Sequence, residues 1–196
     1  MTNDTGQEHT ILTYDQQLYK LLVDLLWVYP IRYRNVIARL GGMHLLMSFI
    51  GCIGNLMANS GLVEIMKSPF AGVEKMLMGS KYFPQNMRAL RMVVEELLRP
   101  YITNIYSAEE LNKFLEDVSK MSKTAKLWVE NLIKPVQLIM LFVRAEREGD
   151  WPLHLAVVSK MLPYFFAAGH HHYARYATYY LNDMKNQPPV YTGSIL

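Results

Sequence analysis

Apolar residues recur with a helical period over most of the chain. The first example follows Asp15 and runs to Pro30, with leucines spaced three or four residues apart: Leu18, Leu21, Leu22, Leu25 and Leu26. This spacing is typical of an amphipathic helix. Two short β-prone segments, Thr10–Tyr14 and Asn35–Leu40, flank the helix. Because a helix that joins two strands usually forms a crossover, we expect these strands to pair in parallel.

A strongly apolar stretch follows the second β-prone segment. No Asp, Glu, Lys or Arg occurs between Leu40 and Val63. The pattern predicts a helix from about Met43 to Ala58, closed by Gly61 in a left-handed conformation. Polar residues such as His44 interrupt this stretch, which favours a buried core helix. A membrane span near residues 43–58 is the alternative, because about 20 apolar residues can cross a bilayer.

The rest of the chain has helical periodicity throughout. Ser107, followed by Glu110, has the pattern of a helix N-cap, and Asp150 before Pro152 has another. Pro135 should kink or break a long helix that begins near residue 123. The predicted helices cover Leu62–Met66, Gly72–Met78, the segments 83–102, 107–121, 123–148 and 150–162, and a closing helix after Gly169.

These patterns predict one domain. We expect a disordered N-terminus at residues 1–9 and a single mostly helical domain at 10–184, followed by a loose tail at 185–196. Within the domain, residues 10–60 form a β-α-β-α unit, 61–145 a helical insertion and 146–184 the closing helices. The predicted fold class is mainly α-helical, with a small two-stranded parallel β element near the N-terminus.

Composition narrows the class of protein. Hydrophobic residues make up 51% of the chain and charged residues 19%, which is enough to build a core. The net charge of +3 is too small to require a nucleic-acid partner. Cys52 is the single cysteine, and the first residues lack a secretory signal pattern. We therefore expect an intracellular protein, nuclear or cytoplasmic, and no small-molecule cofactor.

Three consecutive histidines, His170, His171 and His172, precede the closing helix. Adjacent residues on a helix point about 100° apart, so the three cannot share one face. A helical metal pair needs a spacing of three or four. The run therefore favours the first turn of the closing helix over a metal site.

Carboxylates supply the other candidate chemistry. Asp15 ends a β-prone segment, where α/β folds place functional acids, although it could equally cap the helix that follows. The segment "RAEREGDW" contains Glu146, Glu148 and Asp150, which could bind a divalent cation or form a solvated helix end followed by a cap. His44 could be functional or a hydrogen-bonded core residue.

Several blocks of this sequence resemble a group of transposon-derived animal proteins of unknown function. The resemblance covers most of the chain from Ile11 to Met184. Its blocks are an Asp-Gln pair, Leu-Gly-Gly-x-His, Gly-Asp-Trp-x-Leu-His, Met-Leu-Pro-Tyr-Phe and Ala-Gly-His-x-x-Tyr-Ala. The family-motif residues outside the carboxylates are Gln16, Gly41, Gly42, His44, Trp151, His154, Gly169, His170 and Tyr173.

This group is in turn similar to the RNase-H-like transposases, which implies the back half of such a core with a helical insertion. The resemblance makes Asp15 the candidate second catalytic acid and metal ligand, for Mg²⁺ or Mn²⁺. The resemblance does not decide which of Glu146, Glu148 and Asp150 is the last catalytic acid. The first catalytic acid would lie on an earlier strand. We therefore expect a truncated fragment without catalytic activity of its own, with DNA as a partner. The alternatives are a helical interaction module that self-associates through apolar surface, and the membrane protein considered above.

Overall fold

A computed structural model of the chain describes residues 9–67, 83–103 and 105–186. The helix predicted at Gly72–Met78 lies outside these residues, as do most of the predicted N-terminal and C-terminal tails. The elements of the described residues are β1 Thr10–Tyr14, α1 Gln16–Val28, β2 Val36–Leu40, α2 Gly42–Leu56, α3 Leu62–Lys67, α4 Phe83–Ile102, α5 Ala108–Met121, α6 Lys123–Trp128, a π-helical turn Val129–Ile133, α7 Lys134–Glu148, α8 Trp151–Ala167 and α9 His171–Asn186.

The predicted fold class is confirmed, because helices dominate and the two strands pair in parallel near the N-terminus. Thr10 lies opposite Val36, and Tyr14 lies opposite Leu40. At the end of the strands the Gly41 amide donates a 2.7 Å hydrogen bond to the Tyr14 carbonyl. A Cβ at Gly41 would lie 2.8 Å from that carbonyl oxygen. The first glycine of the Leu-Gly-Gly motif is therefore needed for close approach of the backbones.

Helix α2 is a core helix. Six of its side chains are buried: Leu45, Leu46, Phe49, Ile50, Cys52 and Ile53. It ends at Leu56, two residues before the predicted end at Ala58. Gly61 has the expected positive φ of 91°, but it precedes α3 instead of capping α2, because a turn at residues 57–60 intervenes. Within the described residues, no helix has the length and apolar character needed to cross a membrane.

The helix boundaries follow the predicted caps. Ser107 Oγ accepts a 3.1 Å hydrogen bond from the amide of Glu110. The predicted disturbance at Pro135 takes the form of the π-helical turn Val129–Ile133, which immediately precedes α7. Proline lacks an amide hydrogen and clashes with the carbonyl four residues earlier, so a locally widened turn accommodates it without breaking the helix.

Helices α7, α8 and α9 pack against their neighbours in sequence. Gly149 ends α7 at φ 66°, and Gly169 lies at φ 75° between α8 and α9. Helix α2 packs on α8, while α9 contacts both α1 and β2. The core between them contains the fully buried aromatic residues Tyr19, Phe49, Phe142, Phe165 and Tyr180. This arrangement brings together two groups of polar side chains, one buried and one partly exposed.

Candidate functional site

The first group is the Glu146 cluster, made of Arg39, Glu146, Trp151, His154 and Tyr180. Arg39 comes from β2 and Glu146 from the last turns of α7, while α8 supplies Trp151 and His154 and α9 supplies Tyr180. Glu146 Oε1 lies 2.8 Å from Arg39 Nη2 and 2.7 Å from His154 Nδ1. A single carboxylate oxygen therefore joins β2, α7 and α8, and the contact between His154 and Tyr180 adds α9.

His154 is the centre of the Glu146 cluster. Its side chain is 2% exposed, and its Nε2 lies 3.0 Å from the Tyr180 hydroxyl. The ring stacks on Trp151 with an interplanar angle of 5°, and Arg39 Cζ lies 5.4 Å from the Trp151 ring centroid. Nδ1 is close to Glu146 but has no hydrogen bond of normal geometry, so this contact is mainly electrostatic.

The protonation states in this cluster follow from burial and charge. Burial raises the pKa of Glu146, but contact with His154 and the positive charge of Arg39 outweigh burial and lower the pKa below its ordinary 4.5. Burial raises the pKa of Tyr180, so its hydroxyl keeps its proton and can donate to His154 Nε2.

Gly42 sets the distance between α2 and the Glu146 cluster. A Cβ at Gly42 would lie 3.0 Å from Glu146 Oε2 and 3.1 Å from Phe142 Cζ. These are closer than ordinary van der Waals contacts, so a larger residue would push on the carboxylate. The second glycine of the Leu-Gly-Gly motif thus leaves room for Glu146.

A cavity of about 270 Å³ borders the Glu146 cluster. Arg39, Trp151 and His154 line it together with the turn between α7 and α8. His154 and Tyr180 themselves are almost completely buried, at 1% and 0% exposure. Their geometry suits a buried polar network that holds β2, α7, α8 and α9 in place, in which Arg39 Nε, Trp151 Nε1 and His154 Nδ1 have no hydrogen-bond partner among the described residues.

The second group is the His170 cluster, made of Ser48, Gly51, Asn55 and His170. Ser48, Gly51 and Asn55 share one face of α2, since they are three and four residues apart. Ser48 Oγ lies 2.8 Å from His170 Nδ1, and Asn55 Nδ2 lies 3.3 Å from His170 Nε2. A Cβ at Gly51 would lie 3.3 Å from His170 Cε1, so this glycine makes room for the imidazole.

The hydrogen bonds around His170 define its tautomer. Asn55 Nδ2 also points to the Ala168 carbonyl at 3.5 Å, so the amide group of Asn55 is the donor on this side. His170 Nε2 therefore accepts, and Nδ1 carries the proton and donates to Ser48 Oγ. With this tautomer His170 does not act as a base towards Ser48. Burial lowers the pKa of His170 below 6.5, which keeps the ring neutral.

Three further motif residues lie on α1, α2 and α9. Gln16 is the first residue of α1. His44 is half-buried one turn before Ser48 on α2 and therefore on a neighbouring part of the same face. Burial raises the pKa of Tyr173, and the negative charge of Asp15 adds to this rise, so the start of α9 lies near the start of α1. His171 and His172 are exposed in the first turn of α9.

Each candidate carboxylate is engaged by a group of the protein. Asp15 Oδ1 accepts from the Leu18 amide at 2.9 Å, and Asp150 Oδ1 accepts from the Leu153 amide at 2.9 Å. Glu148 accepts from Arg144 at 2.8 Å. The described part of the chain contains no group of three or more His, Cys, Asp or Glu side chains placed to hold a metal ion. This donor arrangement does not fit Mg²⁺ or Mn²⁺, which need several converging oxygens.

Sequence reasoning missed four participants: Arg39, Ser48, Asn55 and Tyr180. A signal existed for Ser48 and Asn55, because polar residues that recur on one face of an apolar helix indicate a polar contact on that face. No local signal identified Arg39 or Tyr180, whose partners lie 107 and 26 residues away along the chain.

The family model described as Domain of unknown function (DUF8702) matches residues 1–110 and 101–190. Together the two matches cover nearly the whole sequence, so the chain belongs to this family. No curated protein and no solved structure matches this chain. The transposon-derived origin and the relation to RNase-H-like transposases stay predictions from the sequence blocks.

Proposed function

We propose that this chain is a transposable-element-derived protein that does not itself cut DNA and that serves as a helical module of a transposase-like system. The observation that carries the proposal is the engagement of all four candidate catalytic acids: Asp15, Glu146, Glu148 and Asp150. Two of them cap helices and two form ion pairs.

This engagement matters because metal-dependent phosphoryl transfer needs carboxylates that converge on the metal. Releasing Asp15 or Asp150 from its helix would cost about 1 kcal/mol each, the usual value of an N-cap. Releasing Glu146 would leave Arg39 and His154 without their shared partner. Both costs oppose a rearrangement of these acids into a metal site.

The test is a nicking assay with the full chain, supercoiled plasmid DNA and either Mg²⁺ or Mn²⁺. We expect no metal-dependent nicking. The informative variant is Asp15→Asn, because Asn also caps helices well but lacks the negative charge that a metal ligand needs.

Metal-dependent nicking that disappears in Asp15→Asn would contradict the proposal and would make Asp15 a catalytic acid. Circular dichroism of the variant checks that its helices are intact. Nicking that is unchanged in Asp15→Asn would also contradict the non-catalytic assignment, but it would exclude Asp15 as the residue responsible.

A second candidate function is a protein-interaction module, and a specific surface favours it. Helix α1 buries Tyr19, Leu22 and Val23 on its inner face. Its outer face carries four apolar side chains that are 38% to 65% exposed. We call this surface the α1 ridge; it consists of Leu18, Leu21, Leu25 and Val28. A row of exposed apolar residues on one helix typically marks a contact surface.

The location that we infer is intracellular, either nuclear or cytoplasmic. The inference depends on the single cysteine, Cys52, which is buried and unpaired. Burial raises the pKa of the Cys52 thiol to about 12, which protects the thiol from oxidation. Because Cys52 is the single cysteine, it has no disulfide partner within the chain. Chains that work in oxidising compartments more often depend on disulfides.

A further inference from the structure

The spacing of the α1 ridge is self-complementary. Its residues are separated by three, four and three positions. Alternating steps of three and four are the spacing of the contact positions in coiled coils. The order three-four-three is the same in both directions along the helix. Two copies of the ridge packed antiparallel would therefore place Leu18 opposite Val28 and Leu21 opposite Leu25, in both halves of the contact.

The charges beside the ridge fit the same arrangement. Lys20 and Asp24 are exposed on one flank of the ridge. In an antiparallel pair related by a twofold axis, this flank meets the same flank of the second copy. Lys20 then lies about 3 Å along the axis from Asp24 of the second copy, from the 1.5 Å rise per residue. In a parallel pair this flank would instead face the opposite flank of the second copy, so Lys20 and Asp24 of the two copies would not meet.

Apolar surface continues past the end of the helix. Tyr29 is 51% exposed and Ile31 is 86% exposed. Stable interfaces bury about 800 Å² on each partner, and a ridge of four side chains alone is smaller than that. Tyr29 and Ile31 enlarge the apolar surface beyond the ridge, and we expect an association that depends on protein concentration.

We infer that the α1 ridge binds the α1 ridge of a second copy of this chain, antiparallel and about a twofold axis. This inference rests on the interaction-module proposal and names its partner. The contact is isologous, so it closes as a dimer and does not propagate into a filament.

The first experiment measures the mass of the full chain by sedimentation velocity over a wide range of concentrations. We expect a monomer–dimer equilibrium, and we expect Leu21→Gln to shift it to monomer. The matched control is Leu97→Gln, since Leu97 is also an exposed leucine on a helix, at 38%, but lies on α4. The control should dimerise like the unmodified chain.

The second experiment uses the flanking charges. Lys20→Glu and Asp24→Lys each replace two attractive contacts across the axis by repulsive ones. We expect each variant alone to dimerise about thirtyfold more weakly, because each of the two exposed pairs changes from an attraction to a repulsion of roughly 0.5 kcal/mol. Mixing the two variants restores opposite charges on both sides of the axis, so the mixture should dimerise at least as well as the unmodified chain.

The outcomes separate this inference from the interaction-module proposal. A chain that stays monomeric at every concentration overturns self-pairing, and so does a dimer that Leu21→Gln leaves unchanged. If such a monomer binds a fluorescent apolar dye and Leu21→Gln reduces that binding, the ridge remains a contact surface for another partner. If the dye signal does not depend on Leu21, the interaction-module proposal fails as well.

Discussion

The Glu146 cluster and the His170 cluster each connect neighbouring helices through a histidine, but the groups around the two histidines differ in charge and burial. Both place a histidine between helices and give it two side-chain neighbours. His154 lies beside a carboxylate and an arginine and is 1% exposed. His170 contacts only the neutral Ser48 and Asn55 and is partly exposed.

This difference determines how each cluster responds to change. Removing one member of a buried ionic network leaves the remaining charges without compensation, which usually costs several kcal/mol. Removing one neutral hydrogen bond costs about 1 kcal/mol. We therefore expect the Glu146 cluster to be the more sensitive to mutation, and the His170 cluster to be the more sensitive to mild acid.

The largest effect should come from His154→Ala. This change deletes a buried ring that stacks on Trp151 and removes the contacts of His154 with Glu146 and with the Tyr180 hydroxyl. We expect it to lower the free energy of unfolding by about 3–5 kcal/mol, as large buried deletions do. Urea unfolding followed by circular dichroism measures the change.

The control for this prediction is His172→Ala, because His172 is exposed on α9. We expect it to change the free energy of unfolding by less than about 0.5 kcal/mol. A loss below about 1 kcal/mol for His154→Ala would show that the network contributes little, and the contrast between the two clusters would disappear.

A smaller effect should separate two glycines of α2. At Gly42 an added methyl group would lie 3.0 Å from Glu146 Oε2 and 3.1 Å from Cζ of the buried Phe142 ring. Glu146 is paired with Arg39 through its other oxygen. At Gly51 the added methyl group would lie 3.3 Å from His170 Cε1. The change from glycine to alanine inside a helix also stabilises the helix by about 1 kcal/mol. We expect Gly42→Ala to destabilise by about 1–2 kcal/mol and Gly51→Ala to be nearly neutral. Thermal unfolding of both variants checks this, and equal losses would contradict it.

The smallest effect is the pH dependence of the His170 cluster. Because the folded pKa of His170 is lowered, the unfolded chain binds a proton first as the pH falls below 6.5. This contribution to stability is fully present above pH 6.5 and is lost as the pH falls towards the folded pKa. Glu146 also has a lowered pKa, so its contribution to the free energy of unfolding is lost only when the pH falls below about 4.5.

The measurement for this prediction is urea unfolding at a series of pH values between 7 and 5. The variant His170→Gln cannot take up the proton, so its stability should fall less across this range. The exposed His171→Gln serves as the control and should follow the unmodified chain. Identical pH profiles for all three proteins would remove His170 as the acid-sensitive residue.

The sequence predicted those parts of the fold that local chemistry controls. The caps at Ser107 and Asp150 were found because a side chain reaches an amide three residues away, and that relation is visible in the sequence. The parallel pairing of the strands followed from the intervening helix. The end of α2 was misplaced because Gly61 belongs to the turn before α3, a position that periodicity does not define.

The candidate site was less predictable, because its contacts are long-range. Asp15 and Asp150 were recognised both as candidate acids and as candidate caps, and only the structure shows that both are caps. Ser48 and His170 are separated by 122 residues, so no spacing rule joins them. The transposase-like assignment of the acids stays a prediction, which the nicking assay tests.

The contact between Arg39 and Glu146 also has a consequence for the order of folding. These residues are 107 positions apart, whereas α7, α8 and α9 pack against neighbours in sequence. Contacts that close long loops lose more chain entropy and generally form later than local ones. The three closing helices can therefore assemble first, and the ion pair forms when the strand β2 docks onto them. We therefore expect this ion pair to form at the step in which β2 and the closing helices become one cooperative unit.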